Sequence, residues 1–249
     1  MDPGPYFEKA DAPDRIGVSE MKYVEGFYRF WSDLRNRFPD MFIDNCASGG
    51  RRLDYKTAAL AFPLNLSDFT CYMPYEEECV FFENMYVDDW MPLHGSLISR
   101  EDDAYHAFCG MGCGCSSRIW EFNGREPDED HDYDLHRRVL EWARLLRDLH
   151  LKGDVYPLVD SPELDMRLWN GQQVHVPEED RGAVMIFRRK QSPDADFTLD
   201  LAGIPPEREY SVGFFTGGER KMSGKELSSL AVHLDHPGSV QIIRYEAVK

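Results

Sequence analysis

Ile43-Asp44-Asn45-Cys46-Ala47-Ser48-Gly49-Gly50-Arg51-Arg52, followed about twenty residues later by Leu66-Ser67-Asp68, is the stretch on which the fold turns. Each piece closes a brief apolar run. Met41-Phe42-Ile43 stops at the polar loop from Asn45 to Arg52, and Pro63-Leu64-Asn65-Leu66 stops at Ser67-Asp68. Short apolar runs ended by polar turns are the pattern of strands buried on both faces. A short helix is expected between them, around 53–60.

Working outward, Ser19 is placed to cap a helix over 20–38. Its Met21, Val24, Tyr28, Trp31, Leu34 and Phe38 recur at helical spacing, and Pro39 follows the end. The first 18 residues read as loop, with Pro3, Gly4, Pro5, Pro13 and Gly17. Downstream the pattern gives a helix over 76–88, a third strand at 90–93 and a fourth at 115–120. The clearest helix spans 133–150, with Leu135, Val139, Trp142, Leu146 and Leu149 on one face and Gly153 suited to its C-cap. Strands alternating with helices imply parallel β/α units. After Gly153 the helical period ends. Segments 182–189, 196–201, 209–215, 230–234 and 240–245 read as strands between Pro/Gly turns, an antiparallel sandwich. The fold class is therefore α/β followed by all-β, with the boundary between 1–153 and 154–249.

Composition narrows the function. A hydrophobic content of 42% in 249 residues supports a real core. The net charge of −17 argues against nucleic acid or an anionic membrane as partner, because both repel it. A neutral ligand such as a sugar does not feel that field. No apolar run approaches a membrane span, and no basic-then-apolar signal opens the chain, so a cytoplasmic protein is the default expectation. Six cysteines in a chain this long do not make a disulfide scaffold. Cys109, Cys113 and Cys115 invite a metal reading, but their spacing lacks a CxxC pair and no second ligand pair follows. No metal and no cofactor are expected.

Cys46-Ala47-Ser48-Gly49-Gly50-x-Arg52 with Ser67-Asp68 twenty-two residues after the first cysteine resembles the active-site strand ends of family 36 glycoside hydrolases, the bacterial α-galactosidases. Asp2-Pro3 is similar to the end of that family's nucleophile segment, roughly Asp-Phe-Asn-Met-Asp-Pro. The strings 183–188 and 198–201 also look familial. The resemblance implies the C-terminal half of a (β/α)8 barrel, strands five to eight, followed by a C-terminal antiparallel β-sandwich. It also places the nucleophile just before Met1. Two departures stand out. The family often has Trp-Arg-Ser-Asp where this chain has Asn65-Leu66-Ser67-Asp68, and 108–117 is unusually rich in cysteine and glycine.

The implied chemistry is retaining α-glycoside hydrolysis, which needs two carboxylates about 5–5.5 Å apart, at strand ends of the barrel. By the resemblance Asp68 matches the general acid/base, and Cys46 and Gly49 match positions lining the galactose pocket. Ser67 either orients the Asp68 carboxylate or satisfies a strand end. Asp44 and Asn45 stand behind or beside the sugar. Arg51, Arg52 and Asp54 read as a structural ion-pair and hydrogen-bond set. Asp14, Arg15, Gly17 and Glu20 read as loop organisers, and His94 as a sugar contact or a satisfied strand-end histidine. The expected partner is an α-galactoside oligosaccharide, and homo-oligomers occur among the family. With its nucleophile missing, the chain is expected to be inactive alone. The alternative is a non-catalytic carbohydrate-binding or assembly protein derived from that family.

Overall fold

The computed structural model describes residues 4–46, 50, 52–64, 66–69, 76–88, 90–91, 94–98, 103–111, 116–118 and 132–248. Asp2, Pro3, Gly49, Arg51, Asn65, Cys113 and Cys115 lie outside them. The chain divides into two compact units, residues 1–63 and 64–249.

In the first unit, helix α1 (Gly4–Ala10) leads to helix α2 (Val18–Arg37). The sequence pattern reads 4–10 as loop. A helix tolerates Pro5 because a proline in the first turn removes only an N–H that has no intrahelical partner. Ser19 does not cap α2. Gly17 occupies the N-cap at φ 100°, and Ser19 donates its hydroxyl to Asp11 at 2.5 Å. Asp11 also accepts the backbone N–H groups of Gly17 and Ser19, so Asp11, rather than Asp14, organises this loop. Of the expected apolar face of α2, only Trp31 is buried, while Met21 stays 55% exposed. Helix α3 (Tyr55–Ala58) is a single turn held by an Asp54 capping box. Of the first two expected strands, 41–43 and 63–66, the described residues show one isolated parallel bridge just outside them, Asp44 with Phe62.

The second unit begins with helix α4 (Glu77–Asp88), strand β1 (Ser96–Ile98), helix α5 (Ala104–Cys109), strand β2 (Ser116–Arg118) and helix α6 (Tyr133–His150). Strands β1 and β2 pair in parallel, Ser96 opposite Ser116. Among the described residues this strand begins at Ser96, after His94 and Gly95, and Pro92 and Leu93 of the expected third strand lie outside them. Helix α6 has the limits its periodicity predicts, and Asp132 caps it by accepting the N–H groups of Asp134 and Leu135.

Eight further strands complete the unit: β3 (Asp154–Pro157), β4 (Asn170–Val176), β5 (Arg181–Arg188), β6 (Asp196–Thr198), β7 (Glu209–Phe214), β8 (Glu219–Ser223), β9 (Ala231–His233) and β10 (Ser239–Ala247). A short helix α7 (Gly224–Ser228) follows β8. Six strands form one antiparallel sheet in the order β3-β4-β5-β10-β7-β8, and β6 pairs with β9 in a second, small sheet. Side chains alternate across the large sheet. Ala183, Met185 and Phe187 of β5 join the core with α4, α5 and α6, whereas Val184 and Ile186 join the core beneath Leu199, Leu227 and Val232. The sheet is thus covered on both faces, and strand β4, between β3 and β5, is buried at every residue. Gly153 closes the turn into β3 because its backbone passes the next strand closely. A Cβ there would lie 2.6 Å from the His175 carbonyl oxygen.

Candidate functional site

The loop of the first unit is closed at its base by one carbonyl. Asn45 Nδ2 donates to the Arg52 carbonyl at 2.6 Å, and Thr57 Oγ1 donates to the same oxygen at 2.5 Å. The strand end is fixed by Asn45 N–H to the Phe62 carbonyl (2.8 Å) and Phe62 N–H to the Ile43 carbonyl (2.9 Å). Asn45 is buried, which makes it the pin of the loop. Gly50 takes φ 73° and donates its N–H to the Cys46 carbonyl. Among the described residues of the motif Gly50 is left-handed, where a Cβ would be strained. Cys46 is half-buried. Arg52 lays its guanidinium over the Phe27 ring at 4.5 Å. Burial opposes the charge of Asp54, but bonds from Thr57, Tyr28 and Lys56 outweigh it and hold the carboxyl below its ordinary range.

Ser67 and Asp68 open the second unit. Leu66 is buried, Ser67 half-buried and Asp68 exposed, so the chain turns from core to solvent within three residues. The Ser67 Oγ accepts the Phe69 N–H at 3.1 Å. Glu83 lies in the middle of α4. Burial pushes the Glu83 carboxyl above its ordinary range, and the bond to Ser67 partly opposes that rise. Nothing in the sequence pattern singles out Glu83, which follows the acidic residues Glu76 to Glu78 on a helical stretch.

Helix α4 is fastened at both ends. At its start Glu78 accepts Arg189 Nε at 2.7 Å and the Tyr105 hydroxyl at 2.8 Å, all of them buried. Glu77 beside it pairs with Lys190 Nζ at 2.6 Å and with His106 Nε2 at 2.5 Å. At its end Asp88 is fully buried between His94 (2.7 Å) and His150 (3.3 Å), and Gln172 Nε2 of β4 donates to it at 2.7 Å. Burial alone would raise the Asp88 carboxyl, yet the bonds from His150 and His94 dominate and drive it far below the carboxylate range. Burial opposes the charge on His150, but its bond to Asp88 wins and raises it. His94 is fully buried with its Nε2 on Asp88, which fits a core histidine rather than a sugar contact. Cys109 is buried too, and no cluster of three metal-binding side chains occurs among the described residues.

Asn45 and Cys46 fall in the first unit, and Ser67 and Asp68 fall in the second. Gly49 lies outside the described residues. Among solved structures, the chain superposes over 96% of its length on the GH36 α-galactosidase AgaB from Geobacillus stearothermophilus, with TM-score 0.68 and 17% identity, covering 33% of that chain. AgaA from the same organism gives TM-score 0.67 at 19% identity, with 96% of this chain and 33% of that one covered. The chain has the fold of part of a GH36 α-galactosidase. The galactosidase domain of an α-galactosidase–sucrose kinase, AgaSK, matches as well, with TM-score 0.67, 18% identity and 93% and 32% of the two chains covered. The chain spans about a third of the length of these GH36 structures, consistent with a C-terminal portion. No protein-family model and no curated protein matches it. Among the described residues of the GH36 fold, no helix is long and apolar enough to cross a membrane.

Proposed function

We propose that the chain is a portion of a retaining α-glycosidase of the GH36 kind, acting on terminal α-galactosides. In this reading residues 1–153 form the C-terminal half of the (β/α)8 barrel and residues 154–249 its β-sandwich. The observation that carries it is a GH36-like fold over 96% of the chain combined with the Cys46-to-Asp68 motif in one sequence. The two parallel strand contacts, Asp44 with Phe62 and β1 with β2, are of the kind a barrel uses. One AgaA structure, of a doubly substituted form, holds raffinose, which supports an α-galactoside oligosaccharide as the ligand class here.

The chemistry assigned to the chain's own residues is proton transfer at Asp68. Its carboxyl gives a proton to the leaving sugar oxygen as the C1–O bond breaks, while a second carboxylate forms the glycosyl ester. Asp68 then takes a proton from the water that releases the sugar. Cys46 and Gly49 line the galactose, Asn45 fixes the loop that carries them, and Ser67 orients the acid. The second carboxylate is assigned to a segment outside these 249 residues.

Loss of one member of a catalytic pair costs orders of magnitude. The chain by itself is therefore expected to turn over p-nitrophenyl α-galactoside no faster than background. Turnover that disappears in Asp68→Ala would overturn the assignment of the second carboxylate, and turnover that survives Asp68→Ala would overturn the role of Asp68. The alternative, a sugar-binding or assembly protein of the same descent, would show galactose binding by calorimetry that Asp68→Ala leaves unchanged.

A further inference from the structure

The second unit has a cavity of about 460 Å³ where the turn from β4 to β5 meets the end of β10. None of its lining residues belongs to the motif from Asn45 to Asp68. Its volume lies within the range of about 300–1,000 Å³ that small-molecule sites occupy. We propose that this cavity binds a neutral polyhydroxyl ligand, a saccharide, with the Nε2–H of His175 as its buried donor. The inference stands on the second unit alone and does not depend on the role of Asp68.

His175, on β4, is only 3% exposed, and its Nδ1 lies 3.1 Å from the Tyr245 hydroxyl. Which of the two donates follows from counting protons. The orientation of the Gln173 amide is fixed by Ala202: Oε1 accepts the Ala202 N–H and Nε2 donates to the Ala202 carbonyl, both at 2.9 Å. The same Nε2 donates to the Tyr245 oxygen at 2.8 Å. If His175 Nδ1 donated there as well, the buried Tyr245 O–H would have no acceptor, which folded proteins avoid. Tyr245 therefore donates to Nδ1, and the imidazole proton sits on Nε2. Burial pushes this imidazole below its ordinary range, against the opposing pull of Asp180, Asp154 and Glu178. At pH 7 the ring is neutral and carries that one proton.

Among the described residues His175 Nε2 has no hydrogen-bond partner, and His175 lines the cavity. Gly203, another lining residue, keeps the space beside Nε2 open. It takes φ 70°, and a Cβ there would lie 2.9 Å from His175 Cδ2 and 3.2 Å from Nε2. Around this donor stand acceptors. Glu178 and Glu246 line the cavity, are exposed, and make no side-chain bond among the described residues. Asp180 is already engaged, by the Tyr210 hydroxyl at 2.6 Å and by Arg208 at 3.4 Å. An anion is repelled by these carboxylates. A cation meets an N–H instead of a lone pair, and no cluster of three metal-binding side chains occurs among the described residues. A hydroxyl both donates and accepts, so a sugar can take the Nε2–H on one oxygen and give its own protons to Glu178 and Glu246. Tyr156 and Pro177 add apolar lining for its carbon face.

The test uses the full chain, nitrogen-labelled, with long-range nitrogen–proton NMR spectra reading each histidine tautomer at neutral pH. His175 is expected to carry its proton on Nε2, and a proton on Nδ1 overturns the inference. Raffinose, a neutral saccharide, is then titrated as the probe. It is expected to move the His175 Nε2 signal and the Gly203 and Glu246 amide signals together and saturably. In Gly203→Ala, whose methyl group occupies the space beside Nε2, the affinity is expected to fall about tenfold. Glu178→Ala, on the exposed turn after β4, is expected to weaken binding about threefold with the melting temperature unchanged. No saturable change with raffinose, or an unchanged affinity in folded Glu178→Ala, overturns the inference. An equal response to inorganic phosphate overturns it too, because the cavity would then select an anion. Asp68→Ala is expected to leave the His175 response intact, and its loss there would mean that the signal comes from the motif and not from the cavity. Failure of the functional reading, judged by turnover, is thus distinguishable from failure of this site.

Discussion

The two units of the chain differ in what they bury. The second encloses two apolar cores and two buried ionic clusters, with Leu146, Phe108, Phe187 and Val184 at 1% exposure or less. The first has Trp31 as the buried residue of its long helix and leaves Met21, Tyr23, Phe30 and Phe42 each more than half exposed. Yet the first unit carries most of the motif that draws the eye in the sequence. Short motifs depend on local backbone geometry, here Asn45, Gly50 and Thr57 around one loop. A packed core depends on residues far apart in the chain.

The contrast breaks most readily at Phe187, whose ring packs 4.3 Å from Phe81 and 5.7 Å from Tyr105. Phe187→Ala is expected to cost about 4 kcal/mol in urea unfolding. The matching change in the first unit, Tyr23→Ala, removes one exposed ring contact with Phe7 and should cost less than about 1 kcal/mol. Equal losses would mean that the first unit is as tightly built as the second.

The ionic clamp sharpens the comparison through pH. Asp88 has its pKa depressed on folding, so its stabilisation is present above the unfolded value of about 3.9 and is lost as pH falls toward the folded one. His150 has its pKa raised, so its stabilisation is present below about 6.5 and is lost as pH rises through the folded value. Melts across pH 3–9 should therefore show the second unit most stable between those limits. Asp88→Asn should flatten both shoulders, and a profile unchanged by Asp88→Asn would remove the clamp from the account.

A further small effect belongs to the first unit. Asp54 accepts the N–H groups of Lys56 and Thr57, while Thr57 bonds back to the Asp54 N–H. Asp54→Ala is expected to cost about 1 kcal/mol, read by urea unfolding.

The same divide governs what could be read in advance. Helix α6 was legible to the residue because its apolar stripe and its polar cap agree. Strands β5, β7 and β10 were legible from apolar runs between turns. Strand β4 was not, because Asn170-Gly171-Gln172-Gln173-Val174-His175-Val176 looks polar. Its polar side chains are buried against partners from elsewhere in the unit: Gln172 Nε2 on Asp88, Gln173 on the Ala202 carbonyl and the Tyr245 hydroxyl, His175 on Tyr245. Helix α1 was hidden by its proline.

The sequence by itself determined the periodic helices, the change from β/α units to an antiparallel sheet, and the motif with Asn45, Cys46, Ser67 and Asp68. Those are matters of spacing and of chemistry between near neighbours. Only the tertiary structure decided that Gly50 takes a left-handed conformation and that His94 is locked on Asp88. Each of these depends on a backbone dihedral or on a partner brought close by folding, and buried polar groups declare their roles only once those partners surround them.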